Sequence, residues 1–415
     1  MLLTRNRNFR LFFSAAGVSN LGDGISALAF PWLATLITRD PVLIGAVAAA
    51  QRLPWLLFSL PAGVVTDRVD RRKLIIWADA LRMFLTLAVV GLVLTAPDLP
   101  MADTDAGAAR LIAGLCALAF LLGVAEVFRD NTAQTALPQL VDKKDLETAN
   151  GQLWSIEQIM GQFIGPPVAG FLIAVSVPLP FLIDAATFGV AACLIWAVTL
   201  RQVVLAPPEG GFWQQFAQGA RWMRAHRTIL TFAIMLSVLN FVTFGNMAVL
   251  VLFSQEVLGL QATGHGLLLT VSAAGAVAGG LLGPRVARAL GSRPTILAAL
   301  AMFVTAFLAV ALAPNAIMAA LALAWMWFWG MVWNIVTVSL RQRVIPPALL
   351  GRVNAIYRFF GWGSIPLGAL SAGLLVAWAE PSLGREVALR LPYLVGAVVA
   401  VALLVFAVLR LRIEE

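Results

Sequence analysis

Three ionisable side chains fall inside or at the end of long apolar segments of this 415-residue sequence. Asp23 lies near the middle of the first segment, Arg52 near the middle of the second, and Glu126 towards the end of the fourth. A charge in such a segment costs several kcal/mol unless it faces a partner or a water-filled cavity. An Asp23–Arg52 pair could hold the carboxylate ionised and let it take up a proton, with Glu126 as a second proton carrier. Alternatively, the pair could simply hold two helices together.

Three further ionisable residues lie in apolar segments. Asp79 and Arg82 are three residues apart, which places them on one helical face and predicts that they pair with each other. Asp184 falls about five residues from the outer end of the sixth segment, where it could be a second proton site or simply reach water, and we expect its carboxylate to reach water.

The apolar segments themselves define the class of protein. Hydrophobic residues make up 60% of the chain and charged residues 12%, and the mean hydropathy is +0.89. A soluble protein of this size could not bury so much apolar surface, so lipid must be its solvent. A spanning helix needs roughly 20 apolar residues. We therefore predict an all-α membrane protein with twelve transmembrane helices and no soluble domain, with spans near 11–37, 42–65, 74–95, 107–129, 153–176, 179–200, 229–255, 264–287, 293–313, 316–340, 353–378 and 391–410.

The charged residues between the spans predict the topology. Alternate loops collect most of the arginines, which by the positive-inside bias places those loops and both termini in the cytoplasm. The formal charge of +8 is then explained by arginine on one membrane side, and nucleic-acid binding is not expected. We expect a multi-pass protein of the bacterial cytoplasmic (inner) membrane.

The spans divide into two sets of six. Residues 1–200 form the predicted N-terminal bundle, 201–228 an amphipathic cytoplasmic linker, and 229–415 the C-terminal bundle. The segment 139–150, before the fifth span, is echoed at a spacing of 204 residues before the eleventh. Two pseudo-symmetric six-helix bundles would produce this internal repeat.

The stretch Pro61–Lys73, PAGVVTDRVDRRK, joins the second and third spans. It resembles the signature loop of the major facilitator superfamily, although Asp70 stands where the family pattern has a second glycine. The resemblance implies a cytoplasmic gating loop formed by Gly63, Asp67, Arg68, Arg71 and Arg72. Cations at the start of the third helix oppose its dipole, so anionic headgroups or a partner carboxylate should stabilise them.

The fifth span contains GQFIGPPVAG, beginning at Gly161. Its spaced Gly161, Gly165, Pro166 and Gly170 resemble the antiporter motif of drug-exporting major facilitators. Together with the segment 126–170, this motif makes the chain resemble twelve-helix bacterial multidrug, macrolide and siderophore exporters, which are drug:proton antiporters. Small residues that pack two helices closely would give the same pattern. The arginine that many drug antiporters carry in the fourth span is replaced here by Ala119.

An aromatic stripe lies in the tenth span. Trp325, Trp329 and Trp333 repeat every four residues and share one helical face, with Asn334 beside them. The family resemblance implies that the tenth and seventh spans line the substrate cavity, where these residues and Asn240 would contact an amphipathic substrate. The alternative is an aromatic face that packs against other helices or lipid.

No enzyme signature is present. The sequence lacks a nucleophile elbow, a phosphate-binding glycine loop and a cysteine–histidine ligand set, and its two histidines are predicted to lie in loops. We therefore predict no catalytic residues, no metal and no cofactor.

The predicted function is secondary active transport. The family resemblance implies export of amphipathic small molecules, such as drug-like compounds or siderophores, by proton antiport with alternating access. The expected partners are the substrate, protons and membrane lipids, and the protein is expected to act as a monomer. A lipid scramblase or flippase, or an importer of a small nutrient, remain alternatives, and sodium could replace protons.

Overall fold

The structure is a computed structural model, and it describes residues 2–96, 99–101, 107–200 and 212–411. Helices account for almost all of this part of the chain, which contains no strand. In chain order they are α1 Leu2–Arg5, α2 Arg7–Ile37, α3 Pro41–Arg68, α4 Arg71–Leu94, α5 Ala108–Leu140, α6 Leu146–Glu157, α7 Gly165–Val175, α8 Leu179–Trp196, α9 Phe212–Ala225, α10 Arg227–Leu252, α11 Ala262–Leu290, α12 Ser292–Ala311, α13 Ala316–Val344, α14 Pro347–Gly363, α15 Ile365–Leu383 and α16 Arg385–Arg410.

Among the described residues, eleven helical segments are long and apolar enough to cross a membrane. The twelfth predicted span is α2, which has 31 residues but is interrupted by polar side chains. Ser19, Asp23 and Ser26 lie on α2 and contact other helices of the bundle. The first helix is thus the most polar of the predicted spans because it carries part of a buried polar site.

Several helices run beyond the predicted spans. The fourth span was expected to end at residue 129, but α5 continues to Leu140. Residues 66–68, which follow the predicted second span, complete α3, so only Val69 and Asp70 connect α3 to α4. Apolar patterning identifies the length that lies in lipid, whereas a helix continues into water wherever its residues tolerate helical geometry.

Contacts within the chain define two compact units, Met1–Leu205 with Leu260–Thr270, and Ala206–Gly259 with Val271–Glu415. In the first unit α2 packs on α8 and α7, and α4 packs on α8 and α5. In the second unit the equivalent pairs are α10 with α16 and α15, and α12 with α16 and α13. Each unit therefore repeats the same set of helix pairs, as an internal duplication would.

The repeat includes close helix crossings at glycine residues. In the first unit, a Cβ added at Gly24 of α2 would collide with the carbonyl oxygen of Gly161, and one added at Gly165 would lie 2.5 Å from the Cα of Gly24. In the second unit, a Cβ added at Gly245 of α10 would lie 2.7 Å from the carbonyl oxygen of Gly368 in α15. Backbones approach this closely only where no side chain intervenes.

The fifth and eleventh spans are both interrupted near a proline. Between α6 and α7 the chain is π-helical from Gln158 to Ile164, directly before Pro166 and Pro167. The eleventh span breaks between α14 and α15, directly before Pro366. Proline lacks the N–H that would continue the helical hydrogen bonding, so wider or broken turns precede it.

The predicted linker lies partly outside the described residues, at 201–211. Its helix α9 belongs to the second unit and packs against α14 and α10. Met223 is buried, and Gly219 allows α9 to approach Arg352 of α14. The amphipathic pattern therefore reflects packing of one face of α9 on this unit, and the division at 201–228 stays a prediction.

Candidate functional site: a buried charge cluster in the first unit

The centre of the cluster is an ion pair between Asp23 of α2 and Arg82 of α4. The Arg82 guanidinium donates a hydrogen bond to Asp23 and another, of 3.2 Å, to the Ser19 hydroxyl. It also lies 3.8 Å from the centre of the Phe188 ring on α8. Arg82 is only 2% exposed, whereas the Asp23 side chain is 30% exposed. The cation is therefore fixed by the protein, whereas the carboxylate is only partly covered.

This pairing differs from the predicted Asp23–Arg52 pair. The positions of Asp23 and Arg52 along their own helices suggested similar depth, but depth does not determine which face each side chain occupies. Arg82 reaches Asp23 because α4 and α2 both pack against α8 in this unit. The predicted Asp79–Arg82 contact is present, with the nearest nitrogen and oxygen 3.6 Å apart.

Asp79 extends the cluster towards α5. Its fully buried carboxylate lies between Arg82 and Arg129, 3.5 Å from the Arg129 guanidinium, and makes no hydrogen bond with the described residues. Arg129 donates its own hydrogen bond, 3.1 Å long, to Asp130. Asp79 is thus held by charge alone, and the two arginines link α2, α4 and α5 through one chain of alternating charges.

Arg52 and Glu126 lie at the edge of this cluster. The charges of Asp23 and Arg52 both act on the Glu126 carboxylate. The helices that carry Arg52 and Glu126 pack closely, because an added Cβ at Gly123 of α5 would lie 2.7 Å from the carbonyl oxygen of Gln51 on α3. Arg52 and Glu126 therefore lie on neighbouring helices, while Asp23 pairs with Arg82.

Two further ionisable residues differ from expectation. Asp184 was expected to reach water, but it is 1% exposed and accepts a hydrogen bond from the Ser26 hydroxyl. His265 was predicted to lie in a loop, but it lies in the first turn of α11, is 4% exposed, and its ring centre is 6.0 Å from that of Trp32. Both errors arose because positions near the predicted ends of spans are covered by neighbouring helices.

The gating-loop residues have local structural roles where they are described. Asp70, which replaces the family glycine, is the N-cap of α4 and accepts a 3.1 Å hydrogen bond from the Lys73 backbone. Arg72 donates to the carbonyl oxygens of Ile195 and Trp196 at the C-terminal end of α8. These carbonyls lie at the negative end of the α8 dipole and stabilise the guanidinium by hydrogen bonds.

The remaining gating residues can be placed only in part. Arg71 begins α4, and the backbones of Gly63, Asp67 and Arg68 belong to the last turns of α3. The side chains of Asp67 and Arg68 lie outside the described residues. A gating role for this segment stays a prediction.

The predicted antiporter motif forms a packing face on two sides. Gly161 and Gly165 contact the backbone of α2 next to Gly24, directly beside Asp23. Pro166 and Gly170 face the start of α11, where an added Cβ at Gly170 would lie 2.5 Å from the carbonyl oxygen of Ala262. The motif therefore positions the helix that carries Asp23, and its role in antiport stays a prediction.

The tryptophan stripe does not behave as one surface. Trp333 is buried and meets the Phe232 ring edge-on at 6.1 Å, while Trp325 is 43% exposed and donates a 3.3 Å hydrogen bond to Thr305 of α12. Trp329 packs edge-on against Trp325 at 5.8 Å. Its indole N–H is buried and has no hydrogen-bond partner among the described residues.

The two asparagines predicted to contact substrate also differ from each other. Asn240 of α10 donates a 2.7 Å hydrogen bond to the carbonyl oxygen of Gly361, close to the end of α14. Asn334 is exposed. Asn240 therefore forms a hydrogen bond to a backbone carbonyl near the helix break. The exposed side-chain amide of Asn334 is accessible to a substrate.

Arg82 is the main site residue that sequence reasoning assigned only a local role. It was paired with Asp79 because both lie on one face of α4, and that spacing could not reveal Asp23 as a second partner. A signal was nevertheless present, since α4 carries one arginine in its apolar interior and α2 one aspartate. The replacement of the expected fourth-span arginine by Ala119 also implied that another helix must supply a cation.

Apolar helices long enough to cross a membrane, arranged in two units with the same helix pairs, are the architecture of the major facilitator fold. A family model described as transmembrane secretion effector, of the major facilitator superfamily, matches residues 3–415. The chain belongs to this family.

Relatives and solved structures agree with this placement. The chain is 26% identical over 415 residues to the multidrug efflux pump Tap of Mycolicibacterium fortuitum, covering 97% of both chains. It is 25% identical to the enterobactin exporter EntS of Shigella boydii, over 92% of this chain and 88% of that one. Against Tap of Mycobacterium bovis it is 30% identical over 200 residues, and it spans 44% of the length of that relative. The solved nucleoside transporter NupG superimposes with a TM-score of 0.77 over 97% of this chain and 100% of that one, at 13% identity, and thus shares the fold.

Proposed function

We propose that this protein exports amphipathic small molecules from a bacterial cell in exchange for protons, by alternating access. The main support for this proposal is the Asp23–Arg82 pair, in which a partly exposed carboxylate contacts a buried cation. The similarity to a multidrug efflux pump and to an enterobactin exporter supports drug-like or siderophore substrates.

The charge balance of the cluster favours proton coupling. The cluster holds four carboxylates, Asp23, Asp79, Glu126 and Asp130, and three guanidiniums, Arg52, Arg82 and Arg129. An excess of negative charge is expensive in a low-dielectric bundle, so at least one proton should bind. Asp23 is the proposed carrier because its side chain is 30% exposed while its partner Arg82 is buried.

The pair also offers a mechanical link. When Asp23 is ionised, it holds Arg82 and thereby fixes α2 against α4. When Asp23 is protonated, this ion pair is lost, and Arg82 keeps its contacts with Ser19, Asp79 and the Phe188 ring. Protonation thus loosens α2 while leaving the buried cation satisfied, which is the differential interaction a two-state transporter requires.

Contacts within each unit support the proposed membrane orientation. In the first unit, Asn6 donates to the carbonyl of Leu140, and the backbone of Thr199 donates to Asn8, so the N-terminus shares one end with the ends of α5 and α8. In the second unit Arg293 donates to the carbonyls of Val408 and Leu411. The arginine-rich segments at these ends support cytoplasmic termini in the inner membrane.

Transport in proteoliposomes tests the proposal. We expect an imposed pH gradient to drive uptake of lipophilic dyes or a catecholate siderophore into vesicles, and Asp23→Asn to reduce it to the level of protein-free vesicles while substrate binding persists. Glu386→Gln, an exposed carboxylate at the start of α16, is the matched control and should retain transport.

The alternatives predict other results. Redistribution of labelled phospholipid without any gradient would indicate a scramblase. Movement of substrate in the same direction as protons would indicate an importer. If the Asp23→Asn variant retained full pH-driven antiport, Asp23 would not be the proton carrier.

Trp329 is the proposed aromatic contact for the substrate. Its N–H, like that of Trp333, is buried and has no partner among the described residues, which costs about 1–3 kcal/mol. Trp329 is half-buried whereas Trp333 is buried, so an acceptor on the substrate could reach Trp329. We expect Trp329→Ala to weaken equilibrium binding of an aromatic dye while thermal stability changes little. Trp333→Ala, in the core beside Phe232, should instead lower stability by about 3–5 kcal/mol. Equal losses of binding and stability in Trp329→Ala would show that Trp329 serves packing.

A further inference from the structure

Asp184 is a buried carboxyl group that the proposed mechanism does not use. It lies on α8 against α2, where Oδ2 accepts a hydrogen bond from the Ser26 hydroxyl. The other oxygen, Oδ1, is buried and has no hydrogen-bond partner among the described residues. The nearby Thr187 hydroxyl donates to the backbone carbonyl of Asp184 itself, at 2.7 Å.

No ion pair to Asp184 is present among the described residues. The helices with the most contacts to α8 are α2, α4 and α7, and α7 carries no ionisable residue. The charged groups that act on Asp184 are Asp23 of α2 and Arg82 of α4. Arg82 is already engaged by Asp23 and Asp79, and no ion pair joins it to Asp184 in the described part of the chain. Within a membrane bundle, an ionised carboxylate in such a place would cost many kcal/mol.

We infer that Asp184 binds a proton in this conformation and is a second proton-carrying carboxyl of the first unit, in addition to Asp23. The proton occupies Oδ1, while Oδ2 continues to accept from Ser26. The role of this proton in transport rests on the proposed function. Its binding to Asp184 does not. Proton release would require Asp184 to reach water in another conformation of the transporter.

The geometry links this carboxyl to the Asp23–Arg82 pair. Gly22 precedes Asp23, and a Cβ added there would collide with Asp184 Oδ1 and the Thr187 hydroxyl. On α8, Phe188 lies one turn beyond Asp184 and supports the Arg82 guanidinium. A shift of α2 against α8 would therefore change the surroundings of both carboxyls together, which allows two protons for each transport cycle.

Infrared spectroscopy of the purified protein in lipid tests the inference directly. A protonated carboxyl group has a carbonyl band that an ionised carboxylate lacks. We expect Asp184→Asn to lose one such band at neutral pH, whereas Asp23→Asn should retain it. An unchanged spectrum in Asp184→Asn would overturn the inference. No substrate is needed, so this result is independent of whether the protein exports anything.

A second variant covers the possibility that Asp184→Asn does not fold. Ser26→Ala removes the hydroxyl that donates to Asp184, so the carboxyl band should move to higher frequency, and an unmoved band would contradict the assignment. Replacing choline chloride in the buffer with sodium chloride distinguishes a proton at Asp184 from a sodium ion. Disappearance of the band in sodium would identify a sodium site and overturn the proton assignment.

Discussion

Gly24→Ala should destabilise the protein strongly, because a methyl group at this position would collide with the carbonyl oxygen of Gly161. The neighbouring atom is backbone and cannot move aside by changing rotamer. Overpacking of this kind costs about 1–3 kcal/mol and occasionally more. We expect a lower midpoint of thermal unfolding in detergent and a smaller folded fraction by size-exclusion chromatography. Gly165→Ala, which would approach Gly24 from the other helix, should behave in the same way.

Gly91→Ala provides the matched control for this prediction. Gly91 lies in the interior of α4, and no atom lies within 4 Å of an added Cβ. Since glycine is about 1 kcal/mol less favourable than alanine in a helix interior, this variant should keep or slightly raise the unfolding midpoint. Equal destabilisation by Gly24→Ala and Gly91→Ala would show that the α2–α7 crossing does not depend on close backbone contact.

Arg82→Ala should be the most damaging substitution in the charge cluster. It leaves Asp23 without its partner and Asp79 with only Arg129 in a buried environment. Removing one member of a buried ion pair costs about 3–5 kcal/mol, because the remaining charge stays uncompensated. The measurement is the unfolding midpoint together with the amount of folded protein in the membrane.

A double variant separates charge from packing at this site. Arg82→Gln combined with Asp23→Asn removes both charges and keeps similar side-chain volume, so it should recover much of the stability lost in Arg82→Gln alone. Glu386→Gln removes an exposed i,i+4 pair with Arg390 and should change stability by no more than about 0.5 kcal/mol. If the double variant were as unstable as Arg82→Gln, the ion pair could not account for the effect of Arg82.

The fold was predictable from the sequence because lipid imposes a simple pattern. Long apolar segments and the placement of arginine determined the class of protein and the predicted spans, and the fold comparison confirms the class. The ends of the helices were less predictable. α5 continues to Leu140 although this extension contains weak helix formers and Pro138, because Ala136, Leu137 and Leu140 are buried in a hydrophobic cluster with Phe9 of α2.

The partners within the site were harder to predict than its members. Asp23, Arg52 and Glu126 were identified from the cost of charge in lipid, and all three lie in or beside the cluster. The pairing of Asp23 with Arg82 depends on helix rotation and on the common packing of α2 and α4 against α8. A sequence gives the depth of a residue in the membrane far better than the direction in which its side chain points.

Local chemistry also explains one departure from the family pattern. Asp70 replaces a glycine of the superfamily loop, and its carboxylate caps α4. The substitution is favourable because only two residues separate α3 from α4, so the first turn of α4 needs a hydrogen-bond acceptor directly before it. The family pattern marked Asp70 only as a departure, whereas the geometry gives this residue the role of helix cap.

Coupled movement of substrate and protons tests the central claim most directly. Proteoliposomes loaded with a pH-sensitive dye receive a substrate gradient but no pH gradient or membrane potential. The account predicts that substrate flow moves protons in the opposite direction and changes the luminal pH, and that Asp23→Asn abolishes this change. Substrate flow without any proton movement in the unmodified protein would contradict it.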